Sequence, residues 1–243
     1  YKKFDKMIEF GKNFNKINDK INDDLYTVKD SKNKQIAIIL KLIMECQFRI
    51  GNDVYSKKNR SYGTTTLQGK HIKVKSKNEL VIDFNGKKNV RNVCTVKNKK
   101  LVKTLRQKKR TINKNDRIFT YRNGINYYNI KSSDVNKYLK KFGKFTAKNF
   151  RTWGANIEFI VQVNKFCNQK KINTKKLINE CVKRTINEVA CKLHNTYSVC
   201  KSNYIDPELV NYFIEDSKKF LEHFNVNNKE ELYQKYVFFL ENL

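Results

Sequence analysis

Four short stretches carry residue types suited to chemistry at a phosphate. LHNTYSVCKSNY, residues 193 to 204, ends in Tyr204, a phenol able to act as a nucleophile, with Asn195 nine residues before it. An asparagine amide can donate a hydrogen bond to a phosphate oxygen, although it brings no charge and cannot shuttle protons. CQFRIGNDVY, residues 46 to 55, places Arg49 at an expected helix end, where its fork can reach outward. FNGKK, residues 84 to 88, places Lys87 at the tip of an expected hairpin, the position with most freedom to enter a groove. In TAKNFRTWGAN, residues 146 to 156, Thr146 is a good N-cap, and Phe150, Trp153 and Ile157 share a core-facing spacing. Lys148 and Arg151 are then expected to project near the helix start. A cation there opposes the helix dipole, a conflict that an anionic partner relieves. By itself that segment reads as a solvated basic face, but it does not stand alone.

The chain that must position these groups has 243 residues and a formal net charge of +29. Folding gains nothing from such self-repulsion, so a polyanionic partner is the natural explanation. The excess is spread along the sequence, which favours a folded basic surface over a disordered arm. Richness in Lys, Asn and Ile with a single proline is also what AT-rich coding gives. The six cysteines show no C-x-x-C spacing and read as buried reduced thiols, neither zinc ligands nor a disulfide frame. No signal-peptide pattern or membrane-length apolar run stands out, so the expectation is an intracellular protein. IAIILKLIMEC at 36 to 46 carries Lys41 and Glu45 and reads as a core helix.

An apolar helix is expected over 33 to 50, stopping at Gly51. From 71 to 97 the period changes to two: HIKVKS and ELVIDF alternate across Lys77-Asn78, and Asn85-Gly86 leads into VRNVCTV as a third strand. KNKKLVKTLRQKKRT, 97 to 111, is a basic helix or loop without an acidic residue. Beyond it the pattern is helical: 132 to 142, 147 to 166, 173 to 194, and two closing helices near 207 to 222 and 228 to 242. In the third of these, Ile178, Cys181, Val182, Val189 and Leu193 share one face. The fold expected is mainly α with one small antiparallel sheet.

Arg49, Lys87, Arg151 and Tyr204, in this order and these contexts, resemble the active site of the type IB DNA topoisomerases, closest to the short poxvirus, giant-virus and bacterial forms. The strings carrying the resemblance are FRIGNDVY, TLQGKHI, FNGKK, KNFRTWGAN and HNTYSVCKSNY, spanning about residues 44 to 206. It implies the catalytic domain shared with tyrosine recombinases, occupying residues 1 to 243. The β-rich amino-terminal clamp domain of the family is not apparent in this chain, which starts at Tyr1.

The implied reaction is attack of Tyr204 on a DNA phosphodiester. A 3′-phosphotyrosyl bond forms, the 5′-hydroxyl strand is freed to rotate, and the reverse attack rejoins it. One ester replaces another, so neither ATP nor metal is required. GTTTLQGKH, 63 to 71, also lacks the spacing and hydroxyl of a phosphate-binding loop. On the same resemblance Arg49 and Arg151 take the non-bridging oxygens, where planar forks match phosphate. Lys87 is the general acid for the departing 5′ oxygen. Asn195, where poxvirus forms carry histidine, is a phosphate donor.

Lys148, Asn156, Tyr55, Asn52, Lys70 and His71 are expected at the DNA, with a structural role for His71 equally open. Asn52 replaces a family lysine, Lys88 an aspartate and His194 a glycine, so a poxvirus-type sequence preference does not carry over. The partner implied is double-stranded DNA, bound by a monomer, with no membrane. Two alternatives remain at this stage: a tyrosine recombinase or integrase, and a non-catalytic basic DNA-binding module. The lack of H-x-x-R at 148 to 151 weighs against the first, and the full nucleophile and cation set against the second.

Overall fold

The computed structural model describes residues 2–27, 29–169 and 174–243. Its contacts divide the chain into two compact units, residues 16–148 and residues 1–15 with 149–243. Helix α1 (Lys2–Tyr26), absent from the sequence-based expectation, contributes residues to both.

In the unit of residues 16–148, α2 (Lys32–Cys46) is the central element. Ser31 caps it by accepting from the Lys34 amide at 3.2 Å. Its residues 35–40, with Leu42, Ile43 and Cys46, are buried, leaving little of a polar face. A helix so apolar must be surrounded. Its neighbours are strands β3 (Arg91–Val96) and β4 (Thr120–Asn123) and helices α4 (Lys99–Thr111) and α5 (Ser132–Leu139). The helix stops at Cys46, short of the expected Gly51, because Gln47 turns into the left-handed region with φ 55° and its amide closes on the Ile43 carbonyl. A short helix, α3 (Asp53–Asn59), follows.

Strands β1 (Ile72–Val74), β2 (Leu80–Asn85) and β3 form the expected antiparallel sheet in the order β1-β2-β3. Leu80, Ile82 and Phe84 point inward, and the alternate Asp83 faces outward between Lys73 and Arg91. Hydrogen bonds from Arg91, and then from Lys73, hold the Asp83 carboxyl well below the usual carboxylate range. This ion cluster braces the hairpin that ends in Lys87.

Two further findings depart from the expectations for this unit. Cys46 and Cys94 are joined by a disulfide, not reduced, because the end of α2 lies against β3 with their Cα atoms 5.7 Å apart. In addition, β4 pairs with β5 (Asn126–Asn129) around Gly124, where no strand was expected. Most of that hairpin is solvent-exposed, so it lacks the apolar alternation that reveals a half-buried strand.

The second unit is helical: α6 (Ala147–Gln169), α7 (Lys175–Lys192), α8 (Tyr197–Asn203), α9 (Pro207–Glu215), α10 (Ser217–His223) and α11 (Lys229–Glu241). The expected start of α7 at 173 lies outside the described residues. The helix expected over 207 to 222 is two helices, since Asp216 (φ −143°, ψ 79°) leaves the helical region and caps α10 through the Lys219 amide. α8 was not anticipated. Phe10, Phe14, Phe150, Trp153, Tyr233 and Tyr236 form an aromatic core whose neighbouring ring centroids lie about 5–6 Å apart. The mainly helical architecture with a small antiparallel sheet is the one expected, and the β4–β5 hairpin adds a second sheet.

Arg49 sits where two glycines meet. A Cβ on Gly63 would lie 2.4 Å from both the Cα and the amide nitrogen of Gly51, whose own φ is +92°, and 2.7 Å from the Arg49 carbonyl oxygen. Gly63→Ala is therefore expected to destabilise the protein by roughly 1–3 kcal/mol, the usual cost of overpacking. Urea unfolding checks this, and an unchanged midpoint would show that the two segments separate freely.

Candidate active site

Tyr204 ends α8, a seven-residue helix capped by Thr196. Its side chain is 6% exposed, and its hydroxyl accepts a hydrogen bond from Arg151 Nη1 at 2.7 Å. The guanidinium carbon also lies 4.8 Å from the centre of the tyrosine ring. Arg151 was expected to project from the first turns of α6. Instead it is 3% exposed, and its Nη2 donates to the Leu193 carbonyl at 2.8 Å. That carbonyl lies just past α7, at the negative end of the helix dipole, where a cation is favoured. A guanidinium so placed stabilises negative charge developing on the phenol oxygen, which is what a tyrosine nucleophile requires.

Asn156, five residues further along α6, is fully buried. Its Nδ2 donates to the Tyr204 carbonyl at 2.9 Å, and its Oδ1 accepts from the Asp206 amide at 2.8 Å. In this structure the side chain expected at the DNA is engaged with the backbone around Tyr204. Asn195 lies half-buried between α7 and α8, its backbone N–H donating to the Ala190 carbonyl at 2.9 Å. His194 adopts φ +54° in the segment between the two helices.

Arg49 and Lys87 belong to the other unit, where both line one cavity of about 600 Å³ together with Asn52 and Tyr55. Arg49 is carried on a loop, but its backbone is held. The Arg49 carbonyl accepts from the Thr64 amide (2.8 Å) and hydroxyl (3.1 Å), and the Ile50 carbonyl from the Thr65 amide (2.8 Å) and hydroxyl (2.9 Å). Tyr62, two residues earlier, donates its amide to the Asn85 carbonyl at the base of the Lys87 hairpin. Residues 62 to 65 thus anchor both cation-bearing segments. The sequence reading passed over these threonines; the run of three is their only signal. Lys87 is exposed and opens a 3₁₀ turn in which Lys88 and Asn89 have φ of 59° and 57°.

The remaining DNA-side expectations divide. Tyr55 is 59% exposed, and Lys70, Lys148 and Asn52 are exposed as well, with Asn52 also capping α3 through the Val54 amide. His71 is 6% exposed, lies 4.5 Å from the Tyr62 ring centre, and accepts the Gln68 amide at Nδ1. These contacts serve the structural role, left open for it, at the start of β1. No group of three His, Cys, Asp or Glu able to hold a metal occurs among the described residues. No described helix is long and apolar enough to cross a membrane.

Comparison with known proteins places this geometry. The family described as eukaryotic DNA topoisomerase I, catalytic core, matches residues 1–229. The chain belongs to this family, as a type IB DNA topoisomerase catalytic domain. The DNA topoisomerase 1B of Acanthamoeba polyphaga mimivirus is 26% identical over 230 residues, 92% of this chain and 68% of the relative. That of vaccinia virus is 30% identical over 193 residues, covering 78% of this chain and 57% of its own. DNA topoisomerase 1 alpha of Arabidopsis thaliana is 26% identical over 204 residues, 83% of this chain and 21% of the plant protein. The chain spans between about half and two thirds of the viral relatives' length.

The placement of His71 sets a pH dependence. Burial, followed by the Lys70 charge, pushes its pKa down from 6.5 to about 4, and protonation would also remove the Nδ1 acceptor used by Gln68. A depressed folded pKa means that the neutral ring's contribution is intact above pH 6.5 and is lost as the pH falls toward 4. His71→Asn, which keeps an acceptor and removes the titration, is expected to lose less stability than the parent between pH 7 and 4.5. Urea melts at both values measure this; equal losses would show that His71 is not held neutral.

Proposed function

We infer that this domain relaxes supercoiled double-stranded DNA by transient single-strand cleavage, acting as a monomer in an intracellular compartment. The observation that carries the reading is the 2.7 Å hydrogen bond from buried Arg151 to the Tyr204 hydroxyl. It sets a nucleophile beside the charge that activates it. Tyr204 gives up its phenolic proton to solvent and attacks phosphorus, forming the phosphotyrosyl ester and breaking the P–O bond to the 5′ oxygen. Lys87 supplies the proton to that oxygen, because an alkoxide is a poor leaving group. Arg49 and Arg151 neutralise the non-bridging oxygens, with Asn195 as a further donor. Rejoining runs the same steps backwards and consumes no nucleotide.

The reading requires Arg49 and Lys87 to meet the same phosphorus as Tyr204. The placement of both on one cavity supports the pairing of the two cations. Exposed Tyr55, Asn52, Lys70 and Lys148 are assigned to DNA contacts outside the reacting phosphate. The formal net charge of +29 supplies the field that gathers duplex, so binding should weaken steeply with salt.

The test is relaxation of supercoiled plasmid without ATP or magnesium, together with denaturant trapping of the DNA adduct and peptide mapping of the modified residue. Tyr204→Phe is expected to abolish the adduct while leaving gel-shift binding nearly intact; a persistent adduct would assign the nucleophile elsewhere. Asn195→Ala is expected to slow adduct formation by about 10²-fold, as for one lost donor at a transition-state oxygen. An unchanged rate would remove Asn195 from the phosphate.

A further inference from the structure

We propose that Arg117 is a positioning residue for Arg49, and that through Asp53 it ties the setting of that arginine to the helix presenting Tyr55. The inference rests on Arg49 as a phosphate-binding group. Arg117 belongs to none of the sequence strings that carry the chemistry. Its Nε and Nη2 donate to the Thr65 carbonyl at 3.2 and 2.6 Å, and its Nη1 donates to Asp53 Oδ1 at 2.7 Å. The side chain is 16% exposed. Its own backbone is fixed by a bridge to Gln68 and by the Ile118 amide bonding the Leu67 carbonyl.

These bonds form a continuous path. Asp53 begins α3, Arg117 joins it to Thr65, and Thr65 grips the Ile50 carbonyl beside Arg49 with both its amide and its hydroxyl. Residues 50 to 53 are thereby held at both ends by one assembly. Between them lies Gly51 at φ +92°, the residue type with most conformational freedom to lose. Left unbraced, this segment would let the Arg49 backbone wander. Misplacement of a catalytic group by about 1 Å can cost about 10²-fold in rate.

The chemistry suits arginine in particular. Only a planar fork serves a carbonyl with two N–H groups and a carboxylate with a third, which a lysine ammonium cannot reproduce in that geometry. Arg117 is largely buried, and its removal leaves the Thr65 carbonyl and the Asp53 carboxylate without these donors, so it contributes to folding as well as to position. On the other side of the path, α3 exposes Tyr55, Lys57 and Lys58, so contact of that helix with a duplex is transmitted to Arg49 through Asp53 and Arg117.

The experiment measures three quantities on the whole chain: single-turnover adduct formation at saturating protein on duplex DNA, gel-shift affinity, and the thermal midpoint. Arg117→Ala is expected to slow adduct formation by about 10- to 100-fold, measured well below a midpoint that the lost hydrogen bonds lower, with affinity changed by less than about threefold. Arg117→Lys, which keeps the Asp53 pair, should recover part of the rate. In a cycle with Arg49→Lys, the double variant should be little slower than Arg49→Lys alone, because Arg117 acts through Arg49. Losses that multiply instead, or an Arg117→Ala rate equal to the parent's, overturn the proposal. If Arg117→Ala does not fold, Asp53→Ala cuts the same path from its exposed end, and the same cycle decides. Absence of any adduct from the unaltered chain overturns the reading of Tyr204 and this inference with it. Loss confined to the Arg117 variants tests the inference alone.

Discussion

A guanidinium withdrawn from water beside a phenol oxygen is the interaction around which the helical unit is arranged. Taking a charge out of water costs several kcal/mol unless its N–H groups meet acceptors. Arg151 meets that cost with the carbonyl at the end of α7 and with the Tyr204 hydroxyl. The arrangement demands a precise register between α6 and the segment after α7. Asn156 provides it, five residues from Arg151 on the same helix, by clasping the chain on either side of Ile205. α6 therefore sets both the electrostatics around Tyr204 and its location, with the aromatic packing of Phe150 and Trp153 holding the helix itself.

The cation-bearing unit solves a different problem. Arg49 and Lys87 sit on a loop and a hairpin tip, the parts of a fold with least intrinsic order. Rigidity is borrowed from hydrogen bonds to backbone: two threonines bonding two successive carbonyls, and Tyr62 tied to Asn85. The chain has 52 basic and 23 acidic residues, and the acids near these cations serve as braces. Asp83 takes Arg91 and Lys73 beneath the Lys87 hairpin, and Asp53 takes Arg117 behind Arg49. The carboxylates near these cations thus stiffen the frame.

Much of this was legible in the residues. Alternation in HIKVKS and ELVIDF located β1 and β2, and the spacing of Phe150, Trp153 and Ile157 gave the buried face of α6. The order of Arg49, Lys87, Arg151 and Tyr204 gave the family that the comparisons bear out. What stayed hidden depended on partners distant in sequence. Arg151 looks like a surface cation until Leu193 and Tyr204 are brought to it, and Asn156 like a polar reader until the backbone near 205 closes over it. The same holds for Arg117, whose partners lie 52 and 64 positions away. The β4–β5 hairpin escaped for the opposite reason: with its side chains mostly in solvent, burial imprints no period on the sequence.

The Cys46–Cys94 bond encloses a stretch of chain that contains both Arg49 and Lys87. A protease cutting one peptide bond anywhere from 47 to 93 would still leave the two fragments covalently attached, so such nicking would go unseen on a denaturing gel run without reductant. Such a loop can accept a break, or a new pair of termini, without the two cations being lost to separate molecules.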